Sequence, residues 1–587
     1  MNQTLNNHET VRAEYPRPDF QRKTWLNLNG LWDFEFDDAQ AGEGQKWYRE
    51  HKFGREILVP FCYQSELSGI QDTGYHPYIW YHRTFALDSV EEGKRYLLKF
   101  GAVDYHSKVW INGEYVGEHF GGHISFEFEI THYVHPGANE IVLLAEDTFS
   151  CEIPRGKQIW GEKPERCWYT ATTGIWQSVW IEVTGNSYFK SLHVLPDIDK
   201  KSVEIHANWI GKGIKTLSCA MYFAGKRLAL SICQQQAGRA EFTFLIPEQD
   251  PIEEFHYWSP ENPQLYDFEI VIEDENGHQD EVSSYFGMRK ISVQNGQIYL
   301  NNKPYFQKLV LDQGYWPDGL MTAPDDACFQ HDIRLVKAMG FNGVRKHQKI
   351  EDPRFHYWAD RLGILVWEEM PSTYEFSSQS IGNTAHEWMD IVRRDRNHPC
   401  VVTWVTLNES WGVRNIVSSR QQQDYAAALY YLTKSLNPGC LVSSNDGWEQ
   451  IQNSDLCSVH DYFVTADDLV KKYSDLDILL RQDAQGRALY AYGHQWQQQP
   501  VILSEFGGMA TISEDANSWG YNGKKITASE LLDHYRLFIE AIKKVNVLQG
   551  FCYTQFTDVM QEANGLLHAD HSPKVPLEKL HEVNQIF

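Results

Sequence analysis

The chain has 587 residues, which is too long for one hydrophobic core and indicates two to four domains. Its formal net charge of −26 at pH 7 argues against nucleic acids and anionic membrane surfaces as partners. No run is long and apolar enough to span a membrane, and the 20 Trp, 31 Tyr and 29 Phe suit either all-β cores or stacking on sugar faces.

The cysteines and the N-terminus bear on the cellular compartment. The ten cysteines are scattered without a Cys-x-x-Cys pair, and Cys400, Cys440, Cys457 and Cys552 lie in apolar runs. This usage predicts buried thiols in a reducing compartment rather than disulfides or zinc ligands. Residues 1–8 lack the basic and apolar regions of a signal peptide. We therefore expect a cytoplasmic protein that does not act on membranes.

The N-terminal third, residues 1–185, is predicted to be all-β. Residues 25–36 alternate between apolar and polar side chains, as a half-buried strand does. A second apolar stretch, residues 108–111, ends at Asn112-Gly113, which is a hairpin turn signal. Residues 186–288 again contain short strands separated by turns. We assign no chemistry to this second segment, which we expect to position its two neighbours.

From residue 289 onward the pattern changes to short apolar strands that alternate with amphipathic helices. This alternation is typical of a barrel of βα repeats. Eight strands are expected, centred on Phe306, Val344, Val366, Trp404, Val442, Val459, Leu503 and Tyr553. In such barrels the chemistry lies at the carboxyl ends of the strands.

Two of the expected strands end in glutamates. Residues 400–407 form a continuous apolar run that stops at Asn408-Glu409, and residues 501–503 are followed by Ser504-Glu505 and two glycines. One such glutamate alone is an ordinary charged residue at a strand end. Two of them at the ends of parallel barrel strands form a carboxylate pair across one cavity, as in glycosidases.

The motifs around these glutamates resemble those of glycoside hydrolase family 2. They are Arg-Asn-His-Pro at residues 396–399, then Trp404, Asn408-Glu409, and Ser-Glu-Phe-Gly-Gly at residues 504–508. The resemblance covers nearly the whole chain. It implies a jelly-roll domain over residues 1–185, an immunoglobulin-like sandwich over 186–288 and a catalytic (β/α)₈ TIM barrel over 289–587.

The resemblance also implies roles for the residues in these motifs. Glu409 is expected to be the acid/base and Glu505 the nucleophile of a retaining enzyme that needs no cofactor and no metal. Asn408 would bond the sugar 2-hydroxyl, and Tyr462 would bond the nucleophile. We expect the negative charge of Glu505 to raise the pKa of Glu409, so that the acid is protonated before the reaction.

Further candidate substrate-binding residues follow from the other strand ends. These are Arg345, His347, Glu368, Asp312 and Trp519. His347 stands one place earlier than in the family pattern, which leaves its orientation open. Glu368 is expected to bind a hydroxyl or Arg345, and a structural salt bridge is the alternative. Asp312 belongs to a specificity loop, and Trp519 is either a stacking platform or a structural residue. The aromatic loops at residues 160–161 and 167–169 either reach the site or pack as ordinary loops.

The sugar itself is not determined by these motifs. The Asn-x-Lys with which family β-glucuronidases hold the substrate carboxylate is not found between Asp558 and Leu567. A neutral sugar, a β-galactoside, is therefore our first expectation. The alternatives are a β-glucuronide held by Lys346 or Lys349, a galactofuranoside or arabinopyranoside, and a non-catalytic carbohydrate-binding protein on the same scaffold. The intact glutamate pair favours an enzyme, whose partner is a carbohydrate and which is either monomeric or a homo-oligomer.

Overall fold

The computed structural model describes residues 11–236, 238–247, 255–275, 277–463, 465–481, 483–512, 517–523 and 525–587. Residues 1–8, on which the expectation about a signal peptide rests, lie outside this part. Among the helices described, none combines the length and the apolar character needed to cross a bilayer. All ten cysteines are free thiols, and six of them are buried.

The N-terminal domain is a jelly-roll sandwich of two antiparallel sheets. The larger sheet contains, in spatial order, Arg55–Val59, Gly30–Phe36, Tyr78–Leu87, Gly137–Glu146, His106–Ile111 and Glu114–Phe120. The smaller sheet contains Trp25–Asn27, Val179–Gly185, Lys94–Phe100 and Phe126–Glu129. Val103–Asp104 pairs with Gly174–Ile175 beside them. The alternating apolar residues of both sheets face each other and form one core, as the period-two pattern predicts.

The second domain is an immunoglobulin-like sandwich with its own core. One sheet contains Tyr188–Asp197, Ser202–Ile210 and Arg239–Leu245, and the other contains Lys226–Gln235, Lys215–Phe223, Tyr266–Glu273 and Gln279–Phe286. It docks on the barrel through Trp258, whose Nε1 donates to Asp360 O at 2.7 Å. Asn397, in the turn before barrel strand four, donates to Leu192 O at 3.0 Å. These contacts hold the second domain against the strand that leads to Glu409.

The C-terminal domain is a TIM barrel preceded by a small sheet of Ile291–Gln294, Gln297–Leu300 and Lys303–Pro304. Barrel strands one to eight are Gln307–Asp312, Gly343–Lys346, Leu365–Glu369, Val401–Val405, Leu441–Ser443, Cys457–His460, Val501–Gly507 and Leu548–Thr554. Adjacent barrel strands pair in parallel, except that strands five and six are not paired with each other. There the Oγ atoms of Ser443 and Ser458 lie 3.1 Å apart and bridge the gap. The predicted fold of three domains is confirmed, although strand one begins one residue after its expected centre.

Six of the eight described α-helices begin at a residue whose side chain caps the first turn. The eight helices are Asp326–Ala338, Pro353–Leu362, Ser378–Asp395, Arg420–Leu436, Ala466–Tyr473, Leu476–Arg481, Ala528–Lys544 and Leu577–Asn584. Ser377 and Thr527 each form a capping box with the residue three positions later, which satisfies amide donors at the helix start. Gly363 ends the second helix at φ 78°, and a Cβ there would lie 2.5 Å from Pro260 O. Only glycine therefore fits this sharp turn into barrel strand three.

Candidate active site

The two predicted glutamates meet above the barrel. Glu505 lies within barrel strand seven, and Glu409 lies four residues beyond strand four, with φ 51°. The Glu409 amide donates to Asp446 O at 2.9 Å, which fixes this turn. One oxygen of each carboxylate and one ring nitrogen of His460 all lie within 4.8 Å of one another. Carboxyl groups about 5 Å apart suit the double displacement of a retaining glycosidase.

Donors on both oxygens orient the Glu505 carboxylate. Arg345 Nη1 donates to Oε1 at 3.0 Å, and the Tyr462 hydroxyl donates to Oε2. The Tyr462 ring stacks on Tyr521 with centroids 3.7 Å apart. Because both donors are buried, the oxygens of Glu505 cannot rotate freely. The structure thus places Tyr462 where the sequence analysis expects it.

His460 stands between the two glutamates, and the sequence analysis did not single it out. Its Nδ1 faces Glu409 Oε1 at 2.9 Å, while Nε2 faces Asp446 Oδ1 at 2.7 Å and Glu505 Oε1 at 3.5 Å. Burial lowers the pKa of His460, but these three carboxylates outweigh it and raise that pKa to about 10. His460 is therefore a cation at neutral pH, placed inside the carboxylate cluster.

The expected high pKa of Glu409 is wrong for the unliganded protein. Burial raises the pKa of Glu409. The hydrogen bond and positive charge of His460, together with the charges of Lys157 and Arg345, lower that pKa by a larger amount. The net shift is downward. The expectation considered Glu505 as the only charged neighbour. His460 ends barrel strand six, so the strand-end rule that found Glu505 would also have found it.

Arg345 links the nucleophile to the other strand ends. Its Nε donates to Glu369 Oε2 at 2.7 Å and its Nη2 to Asn408 Oδ1 at 2.8 Å. The Asn408 amide nitrogen is buried and has no partner among the described residues. This donor is therefore placed beside Glu409 and is available for a substrate oxygen.

Glu369, rather than its neighbour Glu368, makes the contact with Arg345, so the expected contact of Glu368 with Arg345 is wrong and its alternative, a structural ion pair, fits the structure. Successive side chains of a strand point to opposite faces. Glu368 therefore points away from the pocket and lies 3.5 Å from His356 Nε2. Burial, the largest effect, raises the pKa of Glu369 to about 7 against the opposing charge of Arg345.

His347 lies at the site in spite of its shifted position in the motif. Its Nδ1 is 3.7 Å from Glu505 Oε1 and has no hydrogen-bond partner among the described residues. Burial and the charge of Arg345 lower the pKa of His347 well below its usual value. His347 is therefore neutral, and one ring nitrogen remains available at the pocket.

Asp312, Lys346 and Lys349 form a separate buried network. Lys346 Nζ contacts Asp312 at 2.7 Å and Glu351 at 2.9 Å. Lys349 Nζ contacts Glu351 at 2.9 Å and donates to two backbone carbonyls. The hypothesis that either lysine holds a substrate carboxylate is wrong, since both are occupied by Glu351. Asp312 is likewise bonded to Lys346 and to the amide of Gly314.

The jelly-roll domain supplies a different cation, Lys157, which the sequence analysis missed. No ion pair of Lys157 occurs within the described ranges, and its Nζ lies 5.6 Å from the Tyr169 ring centroid. Burial lowers the pKa of Lys157, but nearby Cys167, Glu562, Glu505 and Glu409 raise it overall. Lys157 is thus a buried cation within the field of both site glutamates.

Other loop residues of the jelly-roll domain also contact the barrel. The Tyr169 hydroxyl donates to Glu562 Oε2 at 2.6 Å. Trp519 Nε1 donates to Arg166 O at 2.8 Å, and Trp519 lines a cavity of about 630 Å³ at this boundary. The loop at residues 167–169 therefore packs against the barrel, and Trp519 lies at the boundary between the two domains.

In the part of the chain that the structure describes, two clusters have enough ligand atoms for a metal ion, and one of them is Glu409, His460 and Glu505. In that cluster both ring nitrogens of His460 already face carboxylates. A proton on each nitrogen satisfies these contacts, so the cluster works as a hydrogen-bond network. The other cluster, His356, Asp395 and His398, lies beneath Glu368 and outside the pocket.

Comparison with known families settles the classification. The description "Glycosyl hydrolases family 2, TIM barrel domain" matches residues 291–587. The sugar binding domain of the same family matches residues 25–179, and its remaining domain matches residues 187–289. The chain belongs to glycoside hydrolase family 2. The expectation drawn from the glutamate motifs is confirmed at this level.

Individual relatives within glycoside hydrolase family 2 differ in their named sugars. The β-glucuronidase of Canis lupus familiaris is 25% identical over 93% of this chain and 87% of its own length. The β-galactosidase of Thermoanaerobacter pseudethanolicus is 26% identical over 66% of this chain, and the match spans about half, 51%, of that relative. A β-glucuronidase structure from Ruminococcus gnavus with bound D-glucuronic acid has a TM-score of 0.78 at 16% identity. The match covers 98% of this chain and 100% of that chain, and at this low identity it shows a shared fold only.

Proposed function

We propose that this chain is a retaining exo-β-glycosidase and that its glycone is a β-hexuronide, with β-glucuronide as the first substrate. The observation that carries the proposal is the carboxylate pair within 4.8 Å together with Lys157, a buried cation in the field of both glutamates that has no carboxylate partner among the described residues. The pair suits double displacement. The cation suits a glycone that carries a carboxylate.

The first half of the reaction uses both glutamates. Glu505 attacks the anomeric carbon as the glycosidic bond breaks, and Glu409 gives a proton to the departing oxygen. In the unliganded protein that proton is on His460. It therefore passes from His460 Nδ1 to Glu409 Oε1 across 2.9 Å when the substrate fills the pocket. Arg345 and Tyr462 hold Glu505 in line for the attack.

The second half reverses these roles. Glycosylation removes the negative charge of Glu505, so the carboxylate cluster holds less charge and Glu409 acts as a base. It takes a proton from water, whose oxygen attacks the anomeric carbon and releases Glu505. The sugar leaves with its β configuration retained. The unpartnered Asn408 amide nitrogen and the His347 Nδ1 would bond ring hydroxyls in both steps.

Lys157 makes a uronide the preferred glycone. A substrate carboxylate that enters a buried pocket needs a cation to offset its desolvation. Lys346 and Lys349 are occupied, whereas Lys157 is placed beside the pocket by the jelly-roll domain. The dog relative, which aligns over 93% of this chain, is named a β-glucuronidase. This proposal replaces the first expectation, a neutral sugar, which rested on the missing Asn-x-Lys alone.

A β-galactoside is the second candidate, and Glu562 favours it. This buried carboxyl lies on the same side as Lys157 and within its electrostatic field. Burial, the largest effect, raises the pKa of Glu562. If Glu562 is ionised in spite of this raised pKa, its charge neutralises Lys157 and repels a uronate, which favours a neutral sugar. The relative named β-galactosidase points the same way.

The test compares two substrates and two lysine variants. We expect higher kcat/KM on p-nitrophenyl β-glucuronide than on the β-galactoside. Lys157→Met should lower kcat/KM on the glucuronide by about 10- to 100-fold, the value of one charge-assisted contact, and change the galactoside rate much less. Lys108→Met is the control, because Lys108 lies in the larger sheet of the same domain and pairs with Glu43. Preferred cleavage of the galactoside, with no selective loss in Lys157→Met, would contradict the uronide proposal.

A further inference from the structure

The acid/base marks the side of the pocket from which the leaving group departs, since its proton goes to the glycosidic oxygen. Trp411 lies on that side, with Nε1 3.4 Å from Glu409 Oε2. Its ring is half-buried and therefore keeps an accessible part. A group attached to the glycosidic oxygen would thus be adjacent to the Trp411 ring.

Trp411 belongs to a cluster of four rings contributed by two domains, which we call the aromatic wall. The wall consists of Trp160 and Trp168 from the jelly-roll domain and Tyr374 and Trp411 from the barrel. Trp168 lies edge-on to Trp411 at 5.3 Å, and Tyr374 lies 5.3 Å from Trp411. Trp160 lies 4.0 Å from Tyr374 and 5.1 Å from Trp168. The family assignment gives this wall no role.

The aromatic wall is held in place before any ligand binds. Trp168 Nε1 donates to the Tyr374 hydroxyl at 2.7 Å, and that hydroxyl donates to Gly156 O. The Gly156 amide in turn donates to Ser372 O at 3.1 Å. Gly156 has φ 59°, and a Cβ there would lie 2.1 Å from Gln348 O. Such a preformed surface loses little entropy when it binds a rigid ligand.

We propose that the aromatic wall is the leaving-group subsite and that it selects a planar aromatic aglycone. The inference rests on the proposed glycosidase function. Trp160, Tyr374 and Trp411 are only half-buried and keep accessible surface, and an open cavity of about 530 Å³ borders Trp160. Aromatic rings stack or meet edge to face at centroid distances of about 4.5–7 Å, and Trp411 already meets Trp168 and Tyr374 within this range, at 5.3 Å each.

Three of the four wall residues already use their polar atoms within the protein, which disfavours a sugar as the aglycone. A sugar ring brings several hydroxyls, and each buried hydroxyl needs a partner. The Trp168 Nε1 and Tyr374 hydroxyl already bond to each other and to Gly156 O. The Trp411 Nε1 faces Glu409. An aryl group needs no hydrogen-bond partner, because its face requires only apolar contact.

The first test separates the aglycone from the glycone. Trp160→Leu should lower kcat/KM on an aryl glycoside by about 10-fold, the worth of one ring contact, and leave the rate on the corresponding β-glycosyl fluoride unchanged. Fluoride leaves from the same glycone but has no aglycone. Trp47→Leu is the matched control, since Trp47 is also half-buried in the jelly-roll domain but stacks on His51. Equal loss on both substrates, or no loss, would overturn the inference.

The second test needs no variant. Wild-type protein supplied with the β-glycosyl fluoride should transfer the glycone to benzyl alcohol several-fold more than to cyclohexylmethanol at equal concentration. The two primary alcohols differ only in whether the ring is aromatic. Equal transfer would show that the wall is merely apolar and would overturn the preference for a planar ring. If the wild type cleaves neither the fluoride nor an aryl glycoside, the glycosidase proposal itself has failed.

Discussion

Replacing His460 by asparagine removes the cation between the two glutamates. The variant loses the contacts of Nδ1 with Glu409 at 2.9 Å and of Nε2 with Asp446 at 2.7 Å. Each hydrogen bond to a charged group contributes about 1.5–3 kcal/mol. Loss of the Glu409 contact should therefore lower kcat/KM by about 10- to 100-fold for a poor leaving group such as phenolate. Dinitrophenolate needs little protonation, so its glycoside should lose much less.

The pH profile of this variant has a defined direction. In the wild type the proton used by the acid is shared with His460, whose pKa is raised to about 10. In His460→Asn only the Glu409 carboxyl can carry that proton, and a carboxyl loses it at lower pH than the histidine. The alkaline limb of kcat/KM should therefore move to lower pH. His347→Asn is the matched control, because the low pKa of His347 already keeps it neutral there.

The assay is kcat/KM against pH for phenyl and dinitrophenyl glycosides of the preferred sugar, with folding of each variant checked by circular dichroism. An unmoved alkaline limb, together with equal losses on the two substrates, would show that His460 does not share the proton of the acid. His460 would then be a structural residue that only shapes the pocket.

Two further predictions concern the glutamates and Tyr462. Glu505→Ala should abolish turnover on every glycoside, whereas Glu409→Ala should give a burst of dinitrophenolate and then a slow steady rate that azide restores as the β-glycosyl azide; exchanged behaviour would exchange the two roles. Tyr462→Phe removes the hydroxyl that bonds Glu505 and should lower kcat by about 10-fold or more with a small change in KM, measured by initial rates; an unchanged kcat would show that Arg345 alone orients the nucleophile.

Local patterns predicted the fold and the two glutamates because each of these patterns depends only on the residues of its own segment. Period-two alternation gave the sandwiches, and apolar strands ending at Glu409 and Glu505 gave the barrel and its pair. The contact of Tyr462 with the nucleophile was expected from a separate match, to a family tyrosine at the end of strand six. These residues become neighbours through the barrel fold alone, because the carboxyl ends of its strands converge on one face.

Contacts between distant segments were not predictable in the same way. Lys157 and the loop at residues 167–169 belong to another domain, and no local pattern shows that they lie beside the barrel. The pKa direction of Glu409 depended on His460, a residue more than fifty positions away. Glu368 and Glu369 are adjacent, so only the pleat of the observed strand decides which one meets Arg345.

The central claim is that Glu505 attacks the sugar and that the reaction retains configuration. The most direct measurement is mass spectrometry of peptides after incubation with a 2-deoxy-2-fluoro-β-glycosyl fluoride, whose slow hydrolysis traps the glycosyl-enzyme. The account predicts one added glycosyl group, on the peptide that contains Glu505, and none in Glu505→Ala. A label on another residue, or complete turnover of the reagent to the α-anomer without any label, would contradict it.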